Sequence, residues 1–502
     1  MLRSFLQRFR HPHSLIVVSP ISIKRVAILV LGLFLIFASE ANAQFDSGSV
    51  LGTLRDSSGA TLAKGKVVLT DLATGTQQTA KSNDQGNYEF DSVKPGDYKL
   101  SAELPSFKVS IADKFTVTVG ARQRVDLVLQ VGGASETVEV SGAAEILQTD
   151  SSDRGEVIDH QEIVNLPLNG RSYADLALLV PGVRKSSLEN QTLSSRDSSF
   201  NVNGQRSEMN NFILDGLDNN TYGTDNQGFS NQTIQPSPDA LNEFRVVTDN
   251  YSAEYGRVTG AVVNVSTRSG TSHFHGSAWE YLRNTSLNAI GPFLPPKNAL
   301  TGQYQKPTYQ QNQFGGTFGG PIKTPFLRGK QFFFLDYEGE RRVTRILATA
   351  TLPDQNQKAG QFTAPVMDPY LGTVYAVNPA TGYTNVPLNP LATLVMAALP
   401  LPNLAGPPGT PNNYVSFPRG SLQSDEGDAR YDGYFTPKLT AFGRYSERNV
   451  NIFDPPNIPG LAGGNSNSVV KIFDRQVAAG LTYTVSANSL LDACDFIYST
   501  RY

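Results

Sequence analysis

The 502-residue sequence has one cysteine, Cys494, and one tryptophan, Trp279. A lone thiol excludes an intrachain disulfide and a cysteine zinc cluster. Charge is scarce as well: 17% of residues are Asp, Glu, Lys or Arg, against about 25% in ordinary soluble domains. The net charge of −3 provides no basic field, so no nucleic-acid partner is expected. Histidine is rare, and beyond the first 43 residues it occurs only at His160, His273 and His275. The "HFH" pair places His273 and His275 on one strand face without an evident third ligand. It reads as a surface pair, and no metal site is expected. Nucleophile-elbow, phosphate-loop and dinucleotide glycine patterns are missing, and "FGGTFGGPI" lies between strand-like runs. Neither an enzyme nor a cofactor is expected.

Only one long apolar run occurs, "VAILVLGLFLIFA" at 26–38. Arg3, Arg8, Arg10, Lys24 and Arg25 precede it, and "ANA" at 41–43 follows. This order of basic, apolar and small-residue zones is that of an export signal, with cleavage expected between Ala43 and Gln44. An uncleaved anchor helix is the alternative. No cysteine follows the cleavage site, which excludes a lipoprotein. With no later apolar run long enough for a spanning helix, a membrane role requires a β-barrel.

Glycine (44), phenylalanine (27) and tyrosine (20) are plentiful, a mix that suits turn-rich β-structure. The whole chain reads as mainly β: a sandwich, a small α+β domain, then part of an antiparallel barrel. Over 44–131, runs such as "SVLGTL", "GKVVLTDL", "YKLSAE", "KFTVTVG" and "RVDLVLQV" alternate with turns such as "DSSGA" and "KPGD". That spacing predicts a β-sandwich. The runs "LGTLRDSSGATLAKGKVVLTDLATG", "SNDQGNYEF" and "VKPGDYKLSAELPSF" resemble the carboxypeptidase regulatory-like domain. The resemblance implies a binding or spacer module without peptidase activity.

Residues 132–142, "GGASETVEVSG", form an expected linker containing a five-residue strand, Glu136-Thr137-Val138-Glu139-Val140. A lone strand needs a partner edge. It is the sandwich's last strand, a linker, or an extended, mobile segment that pairs with another protein's sheet.

Residues 143–270 change character. Ile158, Ile163 and Val164 fall near helical spacing before Leu166-Pro167, and "SYADLALLVPGV" is expected to be helical with Ser172 as its cap. "FNVNGQ", "NNFILDGLDNN", "LNEFRVVTDN" and "AVVNVSTRSG" read as short strands, with Asn203-Gly204 and Asp215-Gly216 as turns. "DGLDNN" lacks the ligand spacing of a calcium loop. From 271 on, strands are predicted at 273–283, 311–319, 331–341, 428–436, 439–447, 473–485 and 489–501. The gaps between them alternate long and short, from 342–427 down to the dipeptide at 437–438, as in an outer-membrane barrel. A soluble jelly roll is the alternative. In "TAFGRYSER", Phe442, Arg444 and Ser446 share one face, and the pattern leaves open which face meets lipid.

Three long runs carry a closer resemblance: "NVNGQRSEMNNFILDGLDNN", "DALNEFRVVTDNYSAEYGRVTGAVVNVSTRSGTSHFHGSAWEYLRN", and "FGGTFGGPI" with "GKQFFFLDYEG". They resemble the Oar-like TonB-dependent outer-membrane receptors. The resemblance implies a regulatory-like domain (44–131), a plug (143–270) and the first part of a barrel (271–502). It also implies a TonB box at Glu136–Val140, periplasmic TonB and outer-membrane lipid as partners, and an unidentified ligand. Sugars, peptides and metal chelates all remain open for that ligand. Seven strands fall short of the even number that closes such a barrel. A fragment is therefore expected, with a partner-completed barrel as the alternative. The competing function is adhesion or an export-linked structural role without uptake.

Overall fold

The computed structural model describes residues 47–132, 137–140, 151–168, 170–186, 199–220, 232–253, 255–256, 258–290, 294–324, 329–407, 409–460, 468–486 and 489–501. The expected leader, its cleavage site at Ala43–Gln44, and Glu136 lie outside them.

The sandwich comprises β1 (Gly48–Asp56), β2 (Lys66–Asp71), β3 (Gln77–Lys81), β4 (Asn87–Val93), β5 (Gly96–Glu103), β6 (Val109–Val117), β7 (Arg122–Arg124) and β8 (Leu127–Leu129). One sheet pairs β1 with β4, β7 and β8, and the other runs β3-β2-β5-β6-β9, where β9 is Thr137–Val140. In β4, Tyr88 and Phe90 alternate inward with outward Glu89, and β2 likewise buries Val67 and Leu69. Together with Val50, Leu54, Leu100, Phe115 and Leu127 they form one apolar core. β3, "QQTAK", has no apolar alternation, and the sequence reading did not find it.

β9 (Thr137–Val140) is not an isolated segment. It pairs in parallel with β6, Val109 opposite Thr137 through Ala112 opposite Val140. The sandwich sheet ends at a ready edge, which gives a four-residue strand the backbone partners it cannot supply itself.

The next domain has β10 (Arg154–Asp159), α1 (His160–Asn165), β11 (Val183–Lys185), β12 (Phe200–Val202), β13 (Asn211–Leu214), β14 (Leu217–Asp218), β15 (Leu241–Asp249) and β16 (Val262–Thr267). Its main sheet runs β10-β15-β16-β13-β14. Asp159 caps α1 in a capping box with Glu162. Ile158 belongs to β10, so the helical spacing seen in the sequence starts one element early. Residues Tyr173–Leu179 form a 3₁₀ helix, and Ser172, at its cap position, makes no side-chain cap bond. These helices and one face of the sheet bury Tyr173, Leu176, Phe200, Phe212, Phe244, Val246, Val263 and Val265.

Seven long strands follow in one antiparallel sheet: β17 (His275–Asn284), β18 (Thr308–Pro321), β19 (Lys330–Arg345), β26 (Arg419–Thr436), β27 (Leu439–Asp454), β28 (Ser468–Ser486) and β29 (Ser489–Arg501). The segment between β19 and β26 holds β20 (Ala348–Ala350), β21 (Gln361–Phe362), β22 (Val366–Met367), β23 (Val374–Tyr375), β24 (Thr384–Asn385) and β25 (Tyr414–Ser416). It also holds α2 (Gln355–Lys358) and α3 (Pro390–Ala398). One end of the sheet has short connections, the other long ones. No helix among the described residues is long and apolar enough to cross a membrane.

Side chains alternate cleanly along these strands. On β19, Phe332, Phe334, Asp336, Glu338, Arg342 and Thr344 are buried, whereas Leu335 and Tyr337 are exposed. On β27, Arg444 and Ser446 are buried and Tyr445 is exposed. The buried face packs against the plug-like domain. The other presents Phe318, Leu335, Val477, Leu481 and Ile497, all at least 39% exposed, as a lipid-facing surface does. This decides the face left open by "TAFGRYSER".

Candidate functional site

The Asp215-Gly216 turn joins β13 to β14, and both residues have positive φ, 50° and 77°. That is the type I′ geometry for which Asp-Gly is suited. The turn carries Asp215, fully buried, out of the domain and against the wall. Its carboxylate accepts hydrogen bonds from the Thr267 amide (2.8 Å) and hydroxyl. It also meets two wall arginines, Arg430 at 2.9 Å and Arg444 at 2.8 Å. Burial pushes the Asp215 carboxyl upward, but Arg430, Arg444 and the Thr267 bonds outweigh it and hold it below the ordinary carboxylate value. The stretch "DGLDNN", which lacks the spacing of a calcium loop, thus supplies through Asp215 the anion of a buried ion network. Among the described residues no group of three or more His, Cys, Asp or Glu could hold a metal. His275 stacks on Phe334 and His273 is exposed at the start of β17.

A second clamp lies nearer the long-connection end. Arg171 sits at φ 52° in the tight turn before the 3₁₀ helix. Its guanidinium bonds Asp239 (2.6 Å) within the same domain and Glu338 (2.8 Å) on β19. It also lies 4.8 Å from the ring centroids of Trp279 and Tyr281 on β17. Trp279 Nε1 donates to Glu338 at 3.1 Å, and Gly315 opposite leaves room for the indole. Beside this clamp is a cavity of about 70 Å³. Glu338, Glu340, Glu426, Arg342 and Arg448 line it, so both signs of charge face one small space.

The sandwich docks at the short-connection end. Lys94, in the β4–β5 turn, reaches Asp432 at 2.6 Å. Lys330 Nζ donates to the Thr74 and Gly75 carbonyls, and Ser272 to that of Ala73. The Val119 amide donates to Glu243, and Arg245 donates to the Val119 carbonyl at 2.7 Å.

These three bodies match three domain families in the same order. Residues 49–130 match the carboxypeptidase regulatory-like domain, 148–263 the TonB-dependent receptor plug domain, and 266–498 an outer membrane beta barrel domain. The TonB-dependent transporter Oar of Myxococcus xanthus is 29% identical over 331 residues. The chain thus carries a plug and an outer membrane beta barrel domain and is similar to the Oar-like TonB-dependent outer-membrane receptors. The matched barrel and plug domains place the chain in the outer membrane. The match to Oar takes in 63% of this chain and 29% of that protein's length, so the chain spans well under half of its curated relative. Among solved structures it is similar to the outer membrane transporter YddB of Escherichia coli, at 11% identity and a TM-score of 0.40. That match covers 66% of this chain and 37% of YddB. It is also similar to a mutant ferric enterobactin receptor of Pseudomonas aeruginosa, at 12% identity and a TM-score of 0.37. There the coverage is 70% and 41%. The matched families are those of receptors and transporters, not enzymes.

Of the segment Glu136–Val140, read from the sequence as a TonB box, the described residues Thr137–Val140 lie on the sandwich edge, more than 70 residues before Asp215. The structure does not bring it to the plug–wall contacts. Arg171, Lys94, Arg430 and Arg444 were missed. Each sits in a turn or an alternating strand that reads as solvated; the plug packed against the wall buries Arg171, Arg430 and Arg444, and the docked sandwich brings Lys94 to Asp432.

Proposed function

We propose that the receptor takes up a ligand across the outer membrane with energy delivered by periplasmic TonB through Glu136–Val140. The observation that carries this reading is the seat of the plug. The plug fills the inner face of the sheet, and buried ion pairs hold it there through Asp215 and Arg171. Any passage requires those pairs to part, and breaking buried pairs needs an external input. Thr137–Val140 suits the delivery of force. It is the last strand in its sheet, so its second edge is open among the described residues, and strand addition depends on backbone bonds. By loop length, the short-connection end with the sandwich faces the periplasm and the 346–418 segment faces outward.

That outward segment supports adhesion as the second reading. α3 buries none of its residues, and Tyr370 and Leu371 are 95% and 77% exposed. A long, nearly uncharged outer loop offers a contact surface whether or not uptake occurs.

Retention of the full chain on the immobilised periplasmic domain of TonB tests the coupling. Proline removes the donor that a paired strand needs. Val138→Pro is expected to lower retention on the order of ten-fold or more, and Val138→Ala within about three-fold. Equal retention of Val138→Pro and wild type would reject strand addition and leave adhesion as the better reading.

A further inference from the structure

Five ion pairs link the sandwich, the wall and the plug into one buried set. Lys94 meets Asp432 at 2.6 Å, and Asp432 meets Arg430 at 3.0 Å. Arg430 meets Asp215 at 2.9 Å. Asp215 meets Arg444 at 2.8 Å, and Arg444 lies 3.7 Å from Asp428. The carboxylates are Asp215, Asp428 and Asp432, and the cations are Arg430, Arg444 and Lys94. Lys94 is the cation that the sandwich contributes to the set. The side chains of Asp215, Asp432 and Arg444 are fully buried, while that of Lys94 is 26% exposed and forms the set's outer end.

From this the geometry points to Lys94 as a positioning residue for the plug: the docked sandwich fixes the Asp215-Gly216 turn in the wall through Asp432 and Arg430. Arg430 and Asp432 stand two apart on one face of β26, so their spacing is fixed by the strand. Arg430 is shared. Its Nε and Nη2 serve Asp432, and its Nη1 serves Asp215 and the Thr267 hydroxyl. With Lys94 in place, Asp432 has a second cation and Nη1 stays with the plug. Without Lys94, Arg430 is the one remaining cation in an ion pair with buried Asp432, and an under-compensated buried carboxylate is costly. Arg430 is then drawn from Asp215 toward Asp432, and the plug turn loosens. The route back to the energy input is short. β9 pairs with β6, β6 with β5, and β5 begins two residues after Lys94. A pull on Thr137–Val140 therefore reaches Lys94 through two strand pairings.

The direction of this route rests on the uptake reading, but its test involves neither ligand nor TonB. Hydrogen exchange of the full chain is followed at 211–218 and 262–267. Lys94→Ala and the isosteric-length Lys94→Met should speed exchange there on the order of ten-fold, and Lys94→Arg should restore it. Lys330→Ala removes a sandwich–wall contact outside the ion set and should leave these amides unchanged. The proposal is overturned if Lys94→Ala and Lys94→Met change only sandwich amides, or if Lys330→Ala speeds the plug equally. Either result leaves strand addition at Val138 to stand or fall by its own assay.

Discussion

The chain has two interiors of different chemistry. Inside the plug, Tyr173, Phe200, Phe212, Phe244 and Val263 make an apolar core. Between plug and wall the buried residues include Asp215, Arg171, Gln313, Glu338, Arg430, Arg444, Ser446 and Gln476, beside the wall's Phe332 and Phe334. An apolar core is non-directional and loses its full transfer energy when opened. An ionic seam repays much of its cost when both partners return to water. The contrast teaches that the plug's own core and its seat against the wall are held by different forces, so the two should yield separately.

The largest effect is expected inside the core. Phe244→Ala removes a ring stacked edge-on against Tyr173 at 5.5 Å and should cost about 3–5 kcal/mol in plug stability, read from urea unfolding. The seam should respond comparably to one change but differently to two. Asp215→Asn leaves Arg430 and Arg444 short of their carboxylate, at a cost of about 3 kcal/mol or more. Adding Arg444→Gln should return part of that loss, with a coupling of about 1–3 kcal/mol in a double-mutant cycle. No second truncation should rescue Phe244→Ala. Additive seam mutations would erase the contrast.

The third effect is acid sensitivity. Asp215 is held below its ordinary pKa, so its unfolded form binds a proton first as pH falls. Its stabilisation is complete above the unfolded value of about 4 and is lost as pH drops through the lowered folded value. Plug stability measured from pH 7 to pH 2 should therefore show an acid step that shrinks in Asp215→Asn. An unchanged step would remove Asp215 from the seam's energetics. The smallest effect is expected at the surface: Lys66→Ala breaks a pair with Glu103 whose side chains are about half exposed and should change sandwich stability by less than about 1 kcal/mol.

Fold was more legible in the sequence than site. All seven wall strands were found from the alternation of long and short gaps, and the last, at 489–501, matches to the residue. The others mostly run longer. β26 begins at 419, not 428, and β27 ends at 454, not 447. Those extensions, "RGSLQSDEG" and "RNVNIFD", carry polar residues on both faces, so a lipid-facing alternation does not mark them. The Asp215-Gly216 turn was read correctly as a turn, but its wall partners, Arg430 and Arg444, lie more than 200 residues away. The two-residue spacing of Arg430 and Asp432 is that of any half-exposed strand. Lys94 stands in "VKPGDY", which announces a turn and nothing more. The sequence leaves last strand, linker and recognition strand open for Thr137–Val140 because its partner, β6, supplies what its own four residues lack.

Trp279, the only tryptophan, lies on the seam, with Arg171 of the plug over its ring and Glu338 accepting from its Nε1. Its fluorescence in rising urea, recorded beside the circular dichroism of the β-structure, tests whether the plug is an ionically seated, separable body. The expected result is a fluorescence change at lower urea than the loss of β signal, moved lower still by Asp215→Asn. Coincident transitions, with Asp215→Asn shifting neither or both equally, would contradict it.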